Sequence, residues 1–126
     1  MTDIAKLLLR LSFGLCLALA HGLSKLTGFA EHSAGFPDPF GIGSVPSMAL
    51  VVFAEFFCGI LVALGVFTRY TVIPVIIVMA TAFFKIHAGQ SWDNKEAAFM
   101  YGMAFICIGL LGSGKFSLDD LVFKKR

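Results

Sequence analysis

Ser47-Met48-Ala49-Leu50-Val51-Val52-Phe53-Ala54-Glu55-Phe56-Phe57-Cys58-Gly59-Ile60-Leu61-Val62-Ala63-Leu64-Gly65-Val66-Phe67 is an apolar run with one charge, Glu55. At ~1.5 Å rise per residue it makes a helix that crosses a hydrocarbon core of ~30 Å, with Glu55 close to the middle. A carboxylate at that depth is costly unless it faces protein or a water-filled cavity, finds a donor, or keeps its proton. The other residues are therefore read for its partner.

Composition agrees with a membrane setting. The 126 residues are 58% hydrophobic and 14% charged, with 14 Phe, and the mean hydropathy is +0.87; soluble domains carry about 25% charged residues. One helical membrane domain, residues 1–126, fills the length. A net charge of +2 is too small to argue for a nucleic-acid partner, and the lipid bilayer is the partner expected. The basic run Lys124-Lys125-Arg126 suits an anionic cytoplasmic lipid surface.

Outward from the central run, a first apolar segment spans about residues 4–26. Its Lys6, Arg10 and Ala18-Leu19-Ala20 resemble a signal peptide. Against that, Arg10, Gly14, His21 and Lys25 fall on one helical face, a polar stripe for which a discarded leader has no use. Residues 27–46 hold Gly28, Gly35, Pro37, Pro39, Gly41, Gly43 and Pro46, a density of helix breakers that predicts a loop. Phe29, Phe36, Phe40 and Ile42 within it suggest a lid on the membrane face. A third apolar segment runs over about 71–87, with Pro74 in its first turn, where a missing N–H does little harm. Trp92 suits the headgroup belt, and a fourth segment covers about 95–111. Ser117-x-x-Asp120 signals the start of a short amphipathic helix. The expected fold is all-α: a bundle of four transmembrane helices, 4–26, 47–67, 71–87 and 95–111, closed by that short helix.

Lysine and arginine placement sets the orientation. Lys6, Arg10, Arg69, Lys115, Lys124, Lys125 and Arg126 fall on one side, and Lys25, Lys85 and Lys95 on the other. The positive-inside rule puts both termini in the cytoplasm.

With each helix centred on the bilayer, Glu55 lies about 3 Å to the outer side of the midplane, His21 roughly 8 Å to the same side and Arg10 roughly 8 Å to the opposite side. His21 is then the nearer partner for Glu55, and Arg10 either bends toward Glu55 or snorkels to the headgroups. These depths predict an outward-facing polar pocket with Glu55 at its floor, His21 and Lys25 on one wall, and Lys85, His87 and Glu96 around its mouth. The bland alternative is that Glu55 and its partner only fasten two helices. Lys85, His87 and Glu96, at helix ends, also suit simple solvation. Cys16, Cys58 and Cys107 lie at similar depth but lack flanking ligands, so packing is the expectation and no metal site is assigned. Met100, Met103 and Cys107 share a face with Glu96 and read as soft packing. Gly59, Gly102 and Gly109 read as close-approach positions.

The quoted residues have a family pattern. Arg10 with His21-Gly22-Leu23-Ser24-Lys25-Leu26, Ala54-Glu55-Phe56-Phe57-Cys58-Gly59, Leu64-Gly65-Val66-Phe67-Thr68-Arg69, and Gly112-x-Gly114-x-x-Ser117-Leu118-Asp119 resemble the DoxX family. The resemblance implies a four-helix protein of the bacterial inner membrane. Relatives include a quinone-reducing thiosulfate oxidoreductase subunit and a membrane component of an oxidative-stress complex. Arg10, His21, Lys25, Glu55, Thr68 and Arg69 are the family-typical positions. A dithiol motif for direct thiol oxidation is missing.

Two functions follow. One is a redox-linked subunit that binds a quinone or small acid, with Glu55 and His21 handling protons and Lys25 or Arg10 holding an anionic oxygen. No haem, flavin or iron–sulfur motif is visible, so a partner protein must carry the redox centre. The alternative is a non-catalytic scaffold or assembly factor whose polar stripe grips another membrane protein. A small-solute carrier is a third possibility, for which four helices without an internal repeat are scant material unless the protein forms an oligomer.

Overall fold

The computed structural model describes residues 1–122, all helix and connecting loop with no strand among them. The basic run Lys124-Lys125-Arg126 lies outside the described residues. Helix α1 spans Thr2–Thr27 and is followed by a short helix, α2, Phe29–His32. Helix α3 spans Ser44–Leu64, α4 Thr68–Ile86, α5 Trp92–Leu111 and α6 Leu118–Val122. The helices α1, α3 and α4 are long and apolar enough to cross a membrane. Helix α5 is 20 residues long but opens with Asp93, Lys95 and Glu96, which makes its first turns polar.

Helix ends depart from the expected bounds for identifiable reasons. Helix α3 stops at Leu64 rather than at Phe67, because Gly65 turns left-handed (φ 76°). The Gly65 and Val66 N–H groups then donate to the carbonyls of Val62 and Leu61, which satisfies the last turn. Helix α4 begins at Thr68, so Pro74 lies inside it and not in its first turn. Its missing N–H leaves the Tyr70 carbonyl without the usual helical donor.

Two contacts build the bundle. Helices α1 and α3 meet through small residues: a Cβ on Gly14 would lie 2.9 Å from the Ala63 nitrogen, and one on Gly22 2.7 Å from the Phe56 nitrogen. Gly59 faces Ala18 across the same seam. Helices α4 and α5 pack Val72, Val75 and Met79 against Ala98, Phe105 and Ile108, and Leu17, Cys58 and Val62 join them in one core. Gly109 and Gly102 lie against Val72 and Met79, the close approach expected of them. Outward, Leu8, Leu19, Phe53, Phe57, Ile73, Phe84 and Leu110 are exposed, an apolar surface that suits lipid rather than water.

Three of the four long helices contain a π-helical turn: Leu17–Gly22 in α1, Phe53–Cys58 in α3 and Ala82–Ile86 in α4. Such turns accommodate one extra residue per turn and recur at functional sites. Glu55 and His21 both lie within one.

The end of the bundle that holds the N-terminus, the base, is fastened by polar contacts. Arg10 is buried, and its guanidinium donates to the carbonyls of Ala63 (3.0 Å) and Phe116 (2.5 Å). Arg10 therefore neither bends toward Glu55 nor snorkels to the surface. Asp119 accepts from the N–H groups of Phe67 (2.7 Å) and Thr68 (3.1 Å) and from the Ser113 hydroxyl (2.6 Å). It thus caps α4 from another segment and holds Phe67 in its left-handed conformation (φ 46°). Burial pushes the Asp119 carboxyl up, but these hydrogen bonds and the nearby Arg10 charge outweigh it and leave it below the ordinary range. Ser117 caps α6 through the Asp120 N–H. The short helix turns Ser117 and Asp119 inward and leaves Leu118, Leu121 and Val122 exposed.

Candidate functional site

At the opposite end, the rim, the helices enclose a cavity of about 450 Å³, within the ~300–1,000 Å³ range of small-molecule sites. Its walls are mainly apolar, with Leu17, Val78 and Ala98 near its inner end. Its polar groups are His21, Lys25, Ser47, Glu55, Thr81, His87, Asn94 and Tyr101.

Glu55 reaches the cavity from the π turn of α3, and its partner there is Lys25: Nζ lies 2.5 Å from Oε1. The Glu55 side chain is 7% exposed and that of Lys25 28%. This replaces the expected His21 partner. Depth along the helix axis ranked His21 first, but the long lysine stem reaches from one turn higher to the carboxylate. His21 stands beside the pair and packs edge-on against Tyr101, ring centres 5.4 Å apart. Neither the His21 imidazole nor the Tyr101 hydroxyl makes a hydrogen bond to any described residue, so both can serve a bound molecule.

The long loop covers this cavity. Phe36, Pro37, Pro39, Phe40 and Ile42 all line it, whereas Phe29, expected in a lid on the membrane face, lies in α2 and not on this wall. Asp38 holds the lid's shape: one carboxylate oxygen accepts from Ile42 N–H (3.0 Å) and the Ser47 hydroxyl (2.8 Å), the other from Gly43 N–H (2.8 Å). The Ser47 hydroxyl, with the Gly43, Ile42 and Gly41 N–H groups, outweighs burial and holds the Asp38 carboxyl below its ordinary value.

The other expected site residues divide. His87 lines the cavity, and its Nδ1 lies 3.0 Å from Gln90 Oε1. Lys85 is not on the wall; its ammonium sits 4.6 Å from the centre of the Phe40 ring and so pins the lid from outside. Glu96 lines a second, more open groove between α1 and α5 with Ser12, Cys16, Asp93 and Met100, and His21 and Tyr101 border both spaces. Arg10, expected to hold an anionic oxygen, does not line the cavity and is engaged at the base by Ala63 and Phe116. Sequence reasoning missed Tyr101, Asn94 and Asp38. Tyr101 was detectable: it is one of two tyrosines, and a hydroxyl within an apolar segment asks for a partner.

The arrangement can bind an uncharged or anionic polar head by the Lys25 ammonium and the His21 and Tyr101 side chains, and enclose an apolar body. Comparison with known proteins places the chain among relatives of unstated activity. It is similar to two Haemophilus influenzae proteins named only as uncharacterized. One is 28% identical over 113 residues, covering 82% of this chain and 74% of the relative. The other is 30% identical over 116 residues, covering 85% and 83%. No solved structure matches. The DoxX profile matches residues 5–88, more than half of the chain, and the protein is therefore a member of the DoxX family.

Proposed function

We propose that the chain is a redox-linked subunit of the bacterial inner membrane that binds a quinone or small acid in the cavity at the rim. In this reading all four long helices cross the bilayer, both termini are cytoplasmic and the cavity faces outward; the distribution of Lys and Arg supports the orientation. The observation that carries the binding role is the Lys25–Glu55 pair set in a mainly apolar chamber. Intramembrane ionisable groups that border a cavity are functional by default.

A quinone suits the chamber chemically. Its ring is apolar on both faces, and its two carbonyl oxygens accept hydrogen bonds of the kind Lys25 and Tyr101 can donate. Conversion to the quinol takes two electrons and two protons. In this reading the electrons come from a redox centre on a partner protein, and Glu55 and His21 pass protons to the ring oxygens. A small acid would instead pair its carboxylate with Lys25.

Native mass spectrometry of the gently solubilised protein tests this, with Glu55→Gln as the comparison. A quinone or acid retained by the wild type and lost from the variant is the expected result. Retention of a protein partner alone, unchanged in Glu55→Gln, would replace the redox reading with the scaffold; the exposed Leu118, Leu121 and Val122 would then be the first surface to examine.

A further inference from the structure

The walls of the cavity differ by direction, and that difference bears on how a molecule reaches it. Toward the base it ends on packed core, at the level of Leu17 and Ala98. Toward the rim it is roofed by Phe36, Pro37, Pro39, Phe40 and Ile42, fixed by the Asp38 and Lys85 contacts. Sideways, α3 and α4 part above Phe53. Leu50 of α3 and Ile77 of α4 both line the cavity, and each is 56% exposed.

Helix packing explains the opening. Helix α3 lies against α4 through residues 53–64, whereas its first turns, Ser44–Val52, pack mainly on Leu23–Thr27 and Ser33–Gly35. The two helices therefore close on each other toward the base and part above Phe53. The edges of the gap carry no free polar group that would favour water: Leu50, Val51, Ile77 and Val78 are apolar, and the Thr81 hydroxyl donates to the Ile77 carbonyl (2.8 Å). In a bilayer such a gap fills with hydrocarbon.

We propose that the cavity takes its ligand laterally from the membrane through the Leu50–Ile77 mouth, and that the ligand is a single-chain amphiphile of the prenylquinone type. Its head rests against Lys25, Glu55 and Tyr101, and its hydrocarbon chain runs out between Leu50 and Ile77. This rests on the reading of the cavity as a small-molecule site, and it chooses within that reading: a lipid-dissolved molecule rather than an acid arriving from water.

The test uses the full chain in lipid nanodiscs and two probes, decylubiquinone and the same ring without its decyl chain. Binding of each is measured to wild type, Glu55→Gln, Leu50→Trp, Ile77→Trp and Leu110→Trp. Leu110 is 77% exposed and lies off the cavity, so its variant controls for a bulky residue on the lipid face. Because every variant sits in the same lipid, partitioning of the probe cancels in the comparison. The expected result is that Leu50→Trp and Ile77→Trp weaken decylubiquinone about tenfold, equivalent to roughly two buried methylenes. The bare ring and the Leu110→Trp control stay within about twofold. Equal losses for both probes, or no loss for either, would overturn the lateral mouth. If the bare ring still depends on Glu55 in that case, the site reading stands without it. Failure of both probes to bind the wild type would remove both proposals.

Discussion

The Lys25 ammonium and the Glu55 carboxylate meet at 2.5 Å across the α1–α3 seam, one a quarter exposed and the other almost fully enclosed. An enclosed carboxylate that loses its cation keeps its desolvation cost without the attraction that offset it. Lys25→Met should therefore lower stability by about 1–3 kcal/mol, below the range for fully buried pairs because Lys25 is partly solvated. Adding Glu55→Gln to Lys25→Met should recover part of the loss. Thermal unfolding of the two single variants and the double closes the cycle, and strictly additive effects would show that the two groups are not coupled.

Gly22 is where the seam is tight beside the ion pair, since a Cβ there would sit 2.7 Å and 2.8 Å from the backbone N and Cα of Phe56. Backbone cannot step aside as a flexible side chain can. Gly22→Ala should part α1 from α3 at the level of the ion pair and cost about 1–3 kcal/mol. Gly35→Ala, where nothing lies within 4 Å, is the matching control and should be close to neutral. A melting comparison of the two distinguishes packing from a general intolerance of glycine replacement.

At the base, Asp119 accepts from Phe67 N–H, Thr68 N–H and the Ser113 hydroxyl, so Asp119→Ala should lower stability by about 1–2 kcal/mol. The pH dependence has a definite sign. A carboxyl held below its unfolded value stabilises fully above that value, and the contribution disappears as pH falls through the folded one. Wild-type stability should thus decline below about pH 4, with a shallower decline in Asp119→Ala. Equal slopes would place the acid sensitivity elsewhere.

The lid has its own latch in Asp38, which binds the Ile42 and Gly43 amides and the Ser47 hydroxyl. In Asp38→Ala, hydrogen exchange at Ile42 and Gly43 and proteolysis within residues 36–43 should accelerate, while protection of the α4–α5 core stays as in wild type. A uniform loss of protection would mean that the loop supports the whole bundle rather than the cavity alone.

Much of this architecture was legible in the sequence, because apolar runs and breakers act locally. The four long helices fall within about three residues of their expected bounds, whereas the loop expected over residues 27–46 is interrupted by helix Phe29–His32 and ends where α3 begins at Ser44. The partner of Glu55 was less legible. Axial depth ranks backbone positions, whereas Lys25 reaches Glu55 by the length of its side chain. Arg10 shares a helical face with His21 and Lys25 but lies at the opposite level, as its depth predicted; its partners, the Ala63 and Phe116 carbonyls, are backbone groups of distant segments that spacing does not reveal. Asp38, Tyr101 and Asp119 act through segments distant in sequence, and spacing alone does not reveal such contacts.

The π turns at Leu17–Gly22, Phe53–Cys58 and Ala82–Ile86 have a consequence for how the two ends of the bundle vary. Removing one residue from such a turn restores an uninterrupted α-helix and swings everything beyond it by ~100° about the axis. For α1, a deletion at Leu19 would carry Lys25 away from Glu55 and leave Arg10 where it is. The base, with its glycine seam and its Arg10 and Asp119 contacts, behaves as a fixed chassis. The upper storeys of α1, α3 and α4 are indexed to it by single residues, so ligand preference can be retuned by insertion or deletion without rebuilding the foundation.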